Sequence, residues 1–260
     1  MRVGRKVFVG GKEVLNMGKL FDVELVFTSI PELLQQLPIT LELAGLGMVM
    51  GLLLGLMMAV IKMKNIKVLT QVTNFMISVV RGTPVIVQLY MAFFGIPMLF
   101  KYLNQNFGMN LAVADIPGFV YAVVALGINQ SAFCAEIIRS ALLSVNTGQV
   151  EAAQAMGMTY LQTLRRIILP EAFEVALPTL GNSLINIIKS TSLAFTCAVV
   201  ELTAQGRIIA GRTYRYFELY VSLAIIYWII TIIIEQIIKL IERKIRIPEQ
   251  VELASAIGED

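Results

Sequence analysis

Histidine is absent from all 260 residues. That one absence removes Ser-His-Asp hydrolysis, imidazole-ligated metals and histidine proton relays together. No Gly-x-x-x-x-Gly-Lys occurs, so the chain lacks the phosphate-cradling loop of an ATPase. Charge is scarce, at 15% of residues, where a soluble domain carries about 25%. The net charge of +3 is spread along the chain without a basic stripe, which argues against a nucleic-acid partner. The two cysteines, Cys134 and Cys197, lie inside apolar runs and read as small buried apolar residues. Their positions imply no disulfide.

What the chain does have is apolar length, with 57% hydrophobic residues. Residues 43–61, 82–100 and 116–135 contain no charge. A helix needs about 20 apolar residues to cross the hydrocarbon core, and in lipid the backbone must satisfy its own hydrogen bonds. The pattern therefore predicts an all-α, polytopic membrane protein. An interfacial helix over 22–37 leads in. Five spans follow, at about 38–61, 84–100, 116–137, 171–200 and 216–237. The first carries Gly47, Gly51 and Gly55 on one face, where a second helix can approach closely. Residues 68–81 are expected along the cytoplasmic surface, because Arg81 in mid-membrane would cost several kcal/mol. The second span then begins at Pro84 as a first-turn residue. Residues 202–215 read as a polar segment between spans.

Lysine and arginine collect on cytoplasmic loops. With Lys62, Lys64, Lys67, Arg81, Arg139, Arg165, Arg166, Lys239, Arg243, Lys244 and Arg246 inside, only Lys101, Arg207, Arg212 and Arg215 fall outside. This predicts an outside N-terminus and a cytoplasmic C-terminus. Arg2, Arg5, Lys6 and Lys12 conflict with it. Gly11-Lys12-Glu13-Val14 can be encoded by a stretch containing AAGGAGGT, a bacterial ribosome-binding sequence, a short spacer before Met17. Residues 1–16 are therefore expected to be a mis-assigned start, with translation beginning at Met17. The expected organisation is 1–37 as extension and interfacial segment, 38–246 as transmembrane domain and 247–260 as a cytoplasmic tail.

The most specific stretch is 151–170, EAAQAMGMTYLQTLRRIILP. Asn146 and Thr147 can cap a helix beginning near Gly148, with Glu151 in its first turn. Ala152 and Ala153 are small enough for a partner surface to come close. Gly157 permits a sharp turn, and Thr159 with Gln162 forms a capping box for a second helix. Leu161, Leu164 and Ile168 line one face of that helix, and Pro170 suits the first turn of the next span.

Glu151, Ala152, Ala153, Gly157, Ile167, Leu169 and Pro170 match E-A-A-x3-G-x9-I-x-L-P at every fixed position. The segment resembles the signature loop of permeases from ATP-binding-cassette (ABC) importers. Arg81-Gly82-Thr83-Pro84 with Val87-Gln88, Ala132 to Arg139, Gly148-Gln149 and Lys189-Ser190-Thr191-Ser192-Leu193 resemble further elements of the polar amino acid subfamily. The likeness covers roughly 38–246, and the pattern around LPIT, RGTP and KSTSL resembles cystine permeases. Membership implies that the loop docks on a cytoplasmic ABC ATPase and transmits its motion. It implies a second permease copy or sister permease, an extracytoplasmic solute-binding protein, and an amino acid as cargo. It places the chain in a bacterial inner membrane. ATP and Mg would be bound by the partner, so this chain holds no cofactor and is not itself an enzyme. Arginine, glutamine, histidine and glutamate importers share most of the pattern.

Transporters bind cargo near the midplane, where polar groups line a cavity. Candidates are Gln88, Asn129, Gln130, Ser131, Glu136, Asn182, Asn186, Lys189, Ser190, Thr191, Ser192 and Glu201. Asn182, Asn186 and Lys189 fall on one helix face. Lys189 could meet a substrate carboxylate, or pair with Glu136 or Glu201, or orient a loop. Glu136 and Arg139 read as an intrahelical or gate pair. Arg207, Arg212 and Arg215 form a basic cluster that either meets the binding protein or is a solvated loop. The rival class is an ion-coupled secondary transporter; no internal repeat favours it.

Overall fold

The computed structural model describes residues 6–9, 12–15, 20–111 and 116–245. Much of the expected extension and the whole tail after Arg246 lie outside the described residues. A short antiparallel hairpin, β1 (Lys6–Val9) with β2 (Lys12–Leu15), pairs Lys6 with Leu15 and Val9 with Lys12. The all-α reading did not anticipate it. The remaining described elements are helices joined by short turns.

Two short helices, α1 (Val23–Thr28) and α2 (Ile30–Leu34), occupy the stretch expected at the interface. Asp22 caps α1, its Oδ1 accepting from the Glu24 and Leu25 amides. The spans are α3 (Leu37–Met63), α5 (Val85–Phe107), α6 (Gly118–Leu143) and α11 (Tyr216–Ile245), all long and apolar enough to cross a membrane. A fifth candidate crossing is a bent helix pair. Here α9 (Leu169–Ser190) tightens into a 3₁₀ turn, Thr191–Cys197, and ends at left-handed Ala198. After a 56° bend it resumes as α10 (Leu202–Thr213).

The glycine stripe does what its spacing predicts. A methyl added at Gly51 would lie 2.7 Å from Gln130 Cβ, and one at Gly55 2.6 Å from Cys134 Cβ, so α3 and α6 meet nearly backbone to backbone. Gly127 of α6 receives Met50 in return. This pair forms the centre of the main core with Leu43, Ala44, Leu126, Ile187 and Ile188. The amphipathic α4 (Lys67–Gly82) is a separate helix, as Arg81 required. Three boundaries differ from the sequence reading. Pro84 is not inside α5 but precedes it in an extended conformation, ψ 138°. The expected fourth span to residue 200 loses its α-helix at Ser190. The polar segment 202–215 is in fact α10, because Glu201 caps its first amides and Leu202, Ile209 and Ala210 bury against Leu33, Leu219 and Leu223.

Candidate functional site

The loop after α6 is built almost wholly from local hydrogen bonds. Helix α7 (Thr147–Ala155) begins where Asn146 Oδ1 accepts the Gly148 amide at 2.8 Å. It ends at Gly157, whose φ of 82° is left-handed. The Gly157 amide reaches Gln154 O at 2.9 Å and the Met158 amide reaches Ala153 O at 3.1 Å. Both bonds of a Schellman cap are thus made, and only glycine adopts that φ without strain. Helix α8 (Tyr160–Thr163) opens on the predicted capping box. The Gln162 amide donates to Thr159 Oγ1 and the Thr159 amide to Gln162 Oε1.

No break separates α8 from the span. One π turn, Leu164–Ile168, joins it to α9. Pro170 in the first turn of α9 has no amide to donate, and the ladder before it widens, the Leu169 amide reaching Leu164 O. A core of Ala141, Val145, Ala172 and Ala176, with Val150 and Ile168 against it, seats the unit on α6 and α9.

The seven signature positions divide by role. Ala153 is buried against its own chain, Ile167 is half-buried, and Glu151, Ala152, Gly157, Leu169 and Pro170 are exposed. Ala152, not Ala153, can therefore take a close partner. Leu161 projects outward at 70% exposure, so it does not share the packing of Ile168. Met156 and Tyr160, at 88% and 70%, stand beside it. Sequence reasoning did not single these two out. Their position at the exposed turn between two capped helices is the signal that marks them.

A second feature is a cavity of ≈ 630 Å³ between α3, α6 and α9, lined by apolar side chains and Arg165. A third, of ≈ 470 Å³, gathers the expected polar groups. Asn129 and Gln130 enter it from α6, and Asn186, Lys189, Ser190 and Ser192 from α9 and the 3₁₀ turn. Gln88 joins at its edge. Its Oε1 accepts from Asn129 Nδ2 at 3.1 Å, while its Nε2 donates to Val80 O and to Thr83. Lys189 pairs with neither Glu136 nor Glu201, and its side chain has no ion-pair partner among the described residues. Phe133 and Ser183 also line the cavity and were not expected. They sit four residues after Asn129 and three before Asn186, on the same helix faces. Arg81 stacks over Phe133 at 5.5 Å, bringing the end of α4 to the rim.

Five candidates lie elsewhere. Asn182 is exposed outside the cavity lining. Ser131 is buried and donates to Ile128 O. Thr191 is fully buried and donates to Ile188 O at 2.7 Å, a backbone role. Glu201 is fully buried as the cap of α10 and accepts from Tyr227 Oη at 3.2 Å. Glu136 is held between Lys62 of α3 and Arg139 of its own helix, 3.0 Å away, so it ties α3 to α6. The basic cluster is engaged within the chain. Arg207 stacks on Phe195 at 4.2 Å, Arg212 meets Glu32 at 3.6 Å and Arg215 meets Glu218 at 2.9 Å.

Comparison with known proteins agrees with this geometry. A family model described as "Binding-protein-dependent transport system inner membrane component" matches residues 51–247. The chain is 40% identical over 227 residues to the probable amino-acid permease protein YxeN of Bacillus subtilis (strain 168), covering 87% of this chain and 97% of that protein. It is 35% identical to the L-cystine transport system permease protein TcyL of the same organism, over 88% of this chain and 94% of that one. A solved structure described as an amino acid ABC transporter with histidines superposes with a TM-score of 0.72 at 38% identity, covering 87% of this chain and all of that one.

Proposed function

We propose, from the premise that this chain belongs to the family of binding-protein-dependent transport system inner membrane components, a division of labour between its loop and its polar cavity. The chain is a multi-pass inner membrane protein, the permease subunit of an amino-acid ABC importer. It is not an enzyme. An ABC ATPase and a binding protein are its partners, and ATP is bound on the ATPase. That assignment removes the ion-coupled secondary transporter from consideration.

The loop from Asn146 to Pro170 is the element that grips the ATPase. The observation that carries this reading is the exposed trio Met156, Tyr160 and Leu161 on a doubly capped turn. Apolar side chains held rigidly in water suit a partner's groove. Glu151, Ala152, Gly157, Leu169 and Pro170 frame that surface, and Ala153 and Ile167 fix it to the spans. On this reading the loop and the C-terminus face the cytoplasm and the N-terminus faces outside.

The polar cavity is the cargo's path, closed across the membrane by a second permease, either a copy or a sister chain. Lys189 meets the cargo's carboxylate, with Asn129, Gln130, Asn186, Ser190 and Ser192 offering hydrogen bonds. Gln88 orients Asn129. Cystine is the leading cargo, on the sequence pattern and the likeness to a cystine permease.

Uptake of labelled cystine, arginine, glutamine, histidine and glutamate, in cells with the intact operon, tests this. With Lys189→Gln, KM for one of these should rise about tenfold, near 1.4 kcal/mol of lost binding. Unchanged KM for every transported amino acid would remove Lys189 from the path. Loss of uptake of a cargo other than cystine would reassign the substrate.

A further inference from the structure

The cavity of ≈ 630 Å³ shares no lining residue with the polar cavity, and its chemistry is of another kind. Its walls are apolar, from Leu52 and Leu56 of α3, Ala141 of α6, and Phe173 and Leu180 of α9. Among the described residues, the only polar side chain lining it is that of Arg165. Arg165 has no ion-pair or hydrogen-bond partner for its side chain among the described residues. The mouth is wide. Leu56 and Phe173 are 47% and 48% exposed.

We infer that this cavity binds an anionic phospholipid, its acyl chains against α3 and α9 and its phosphate on Arg165. Three observations converge on that occupant. The first is depth. From Leu169, beside Arg165, to Leu180 at the far end, eleven residues of helix rise about 16 Å. That is close to half of a ~30 Å hydrocarbon core, so the cavity is one leaflet deep with its cation at the surface.

The second is placement. On α6, Ile138 lines this cavity and Asn129 lines the polar one. Nine residues of helix separate them by roughly 180°. A second permease sharing the polar path lies on the Asn129 side, which leaves the Ile138 side to lipid. The third is charge. A guanidinium forms paired hydrogen bonds with phosphate oxygens, and among the described residues no carboxylate lines the cavity to compete. A neutral alkane-like filler would leave Arg165 unused, while a peptide would bring backbone polar groups that these walls cannot satisfy.

This occupancy rests on the membrane placement proposed above. A lipid there would wedge between the first span and the root of the loop, so its presence would bear on coupling.

The test is native mass spectrometry of the intact transporter complex, exchanged into detergent carrying equal phosphatidylglycerol and phosphatidylcholine. The expected result is at least tenfold preferential retention of phosphatidylglycerol. Arg165→Gln should abolish the preference and Arg165→Lys should keep most of it. Leu56→Trp, at an exposed wall position, should reduce retention of both lipids. Equal retention by wild type, Arg165→Gln and Leu56→Trp would overturn the site. A permease-to-permease disulfide through Leu56→Cys would overturn it too, assigning the groove to another chain. Because the readout is bound lipid, loss of the transport assignment alone leaves this result intact.

Discussion

The two ends of this molecule differ in how many long-range bonds hold them. At the end that carries α1, α2 and α10, bonds between residues far apart in sequence add to the local caps made by Asp22 and Glu201. The Asp22 amide donates to Glu218, Ser29 meets Ser222 at 3.1 Å, Ser222 donates to Val26 O, and Gln205 donates to Glu32. At the loop end, every cap is made within a few residues, from Asn146 to Gly148 and from Thr159 to Gln162. The first end has its shape only because the whole fold is present. The second carries its shape in local bonds, as the proposed coupling role requires, and a small core around Ala141 and Ala172 helps to seat it. A part held by local caps can move as a unit without breaking long-range bonds.

Substitutions can break or sharpen that contrast. The largest effect is expected from Gly157→Pro, because proline fixes φ near −65° where the chain needs 82°. Uptake should fall to background while the permease remains in the membrane, as immunoblotting and uptake on the same cells would record. Next is Gly55→Leu, which drives a side chain into Cys134 and Ala135. Overpacking of this kind costs about 1–3 kcal/mol, and the amount of folded protein in detergent should drop sharply. Leu161→Asp comes third. It should weaken co-purification of the ATPase about tenfold without moving the melting temperature, since Leu161 is 70% exposed. A fall in melting temperature would mean that the loop end is not self-contained. Smallest is Ser222→Ala, removing a buried hydroxyl at the other end. A cost of about 1 kcal/mol is expected, visible as a lower melting temperature with unchanged transport per folded molecule.

The same contrast explains what the sequence made legible. The capping box, the Asn146 cap, the turn at Gly157 and the glycine stripe are all short-range patterns, and each stands where its spacing put it. Helix α10 reads as a polar segment because Arg207 and Arg212 lie in it and Arg215 just after it. Its burial comes from Leu33 and Leu219, far off in sequence. Thr191 and Glu201 looked like pathway residues for the same reason: a polar side chain in an apolar run does not disclose whether its partner is cargo or backbone. Both serve backbone, one at a 3₁₀ turn and one at a helix start. Lys189 had three open readings, and only the assembled helices could set aside its pairing with Glu136 or Glu201. Met156 and Tyr160 were legible in principle, but their exposure depends on how the turn leaves the core.

The most direct measurement is cross-linking from Leu161→Cys in the intact complex in cells. Cys134 and Cys197 are buried, so the new thiol is the reactive one. With a second cysteine introduced in the groove of the ATPase, a short bismaleimide should join the two thiols, and a membrane-impermeant maleimide added outside should leave position 161 unlabelled. Labelling from outside with no cross-link to the ATPase would put the loop on the wrong side of the membrane and contradict its role as the coupling element.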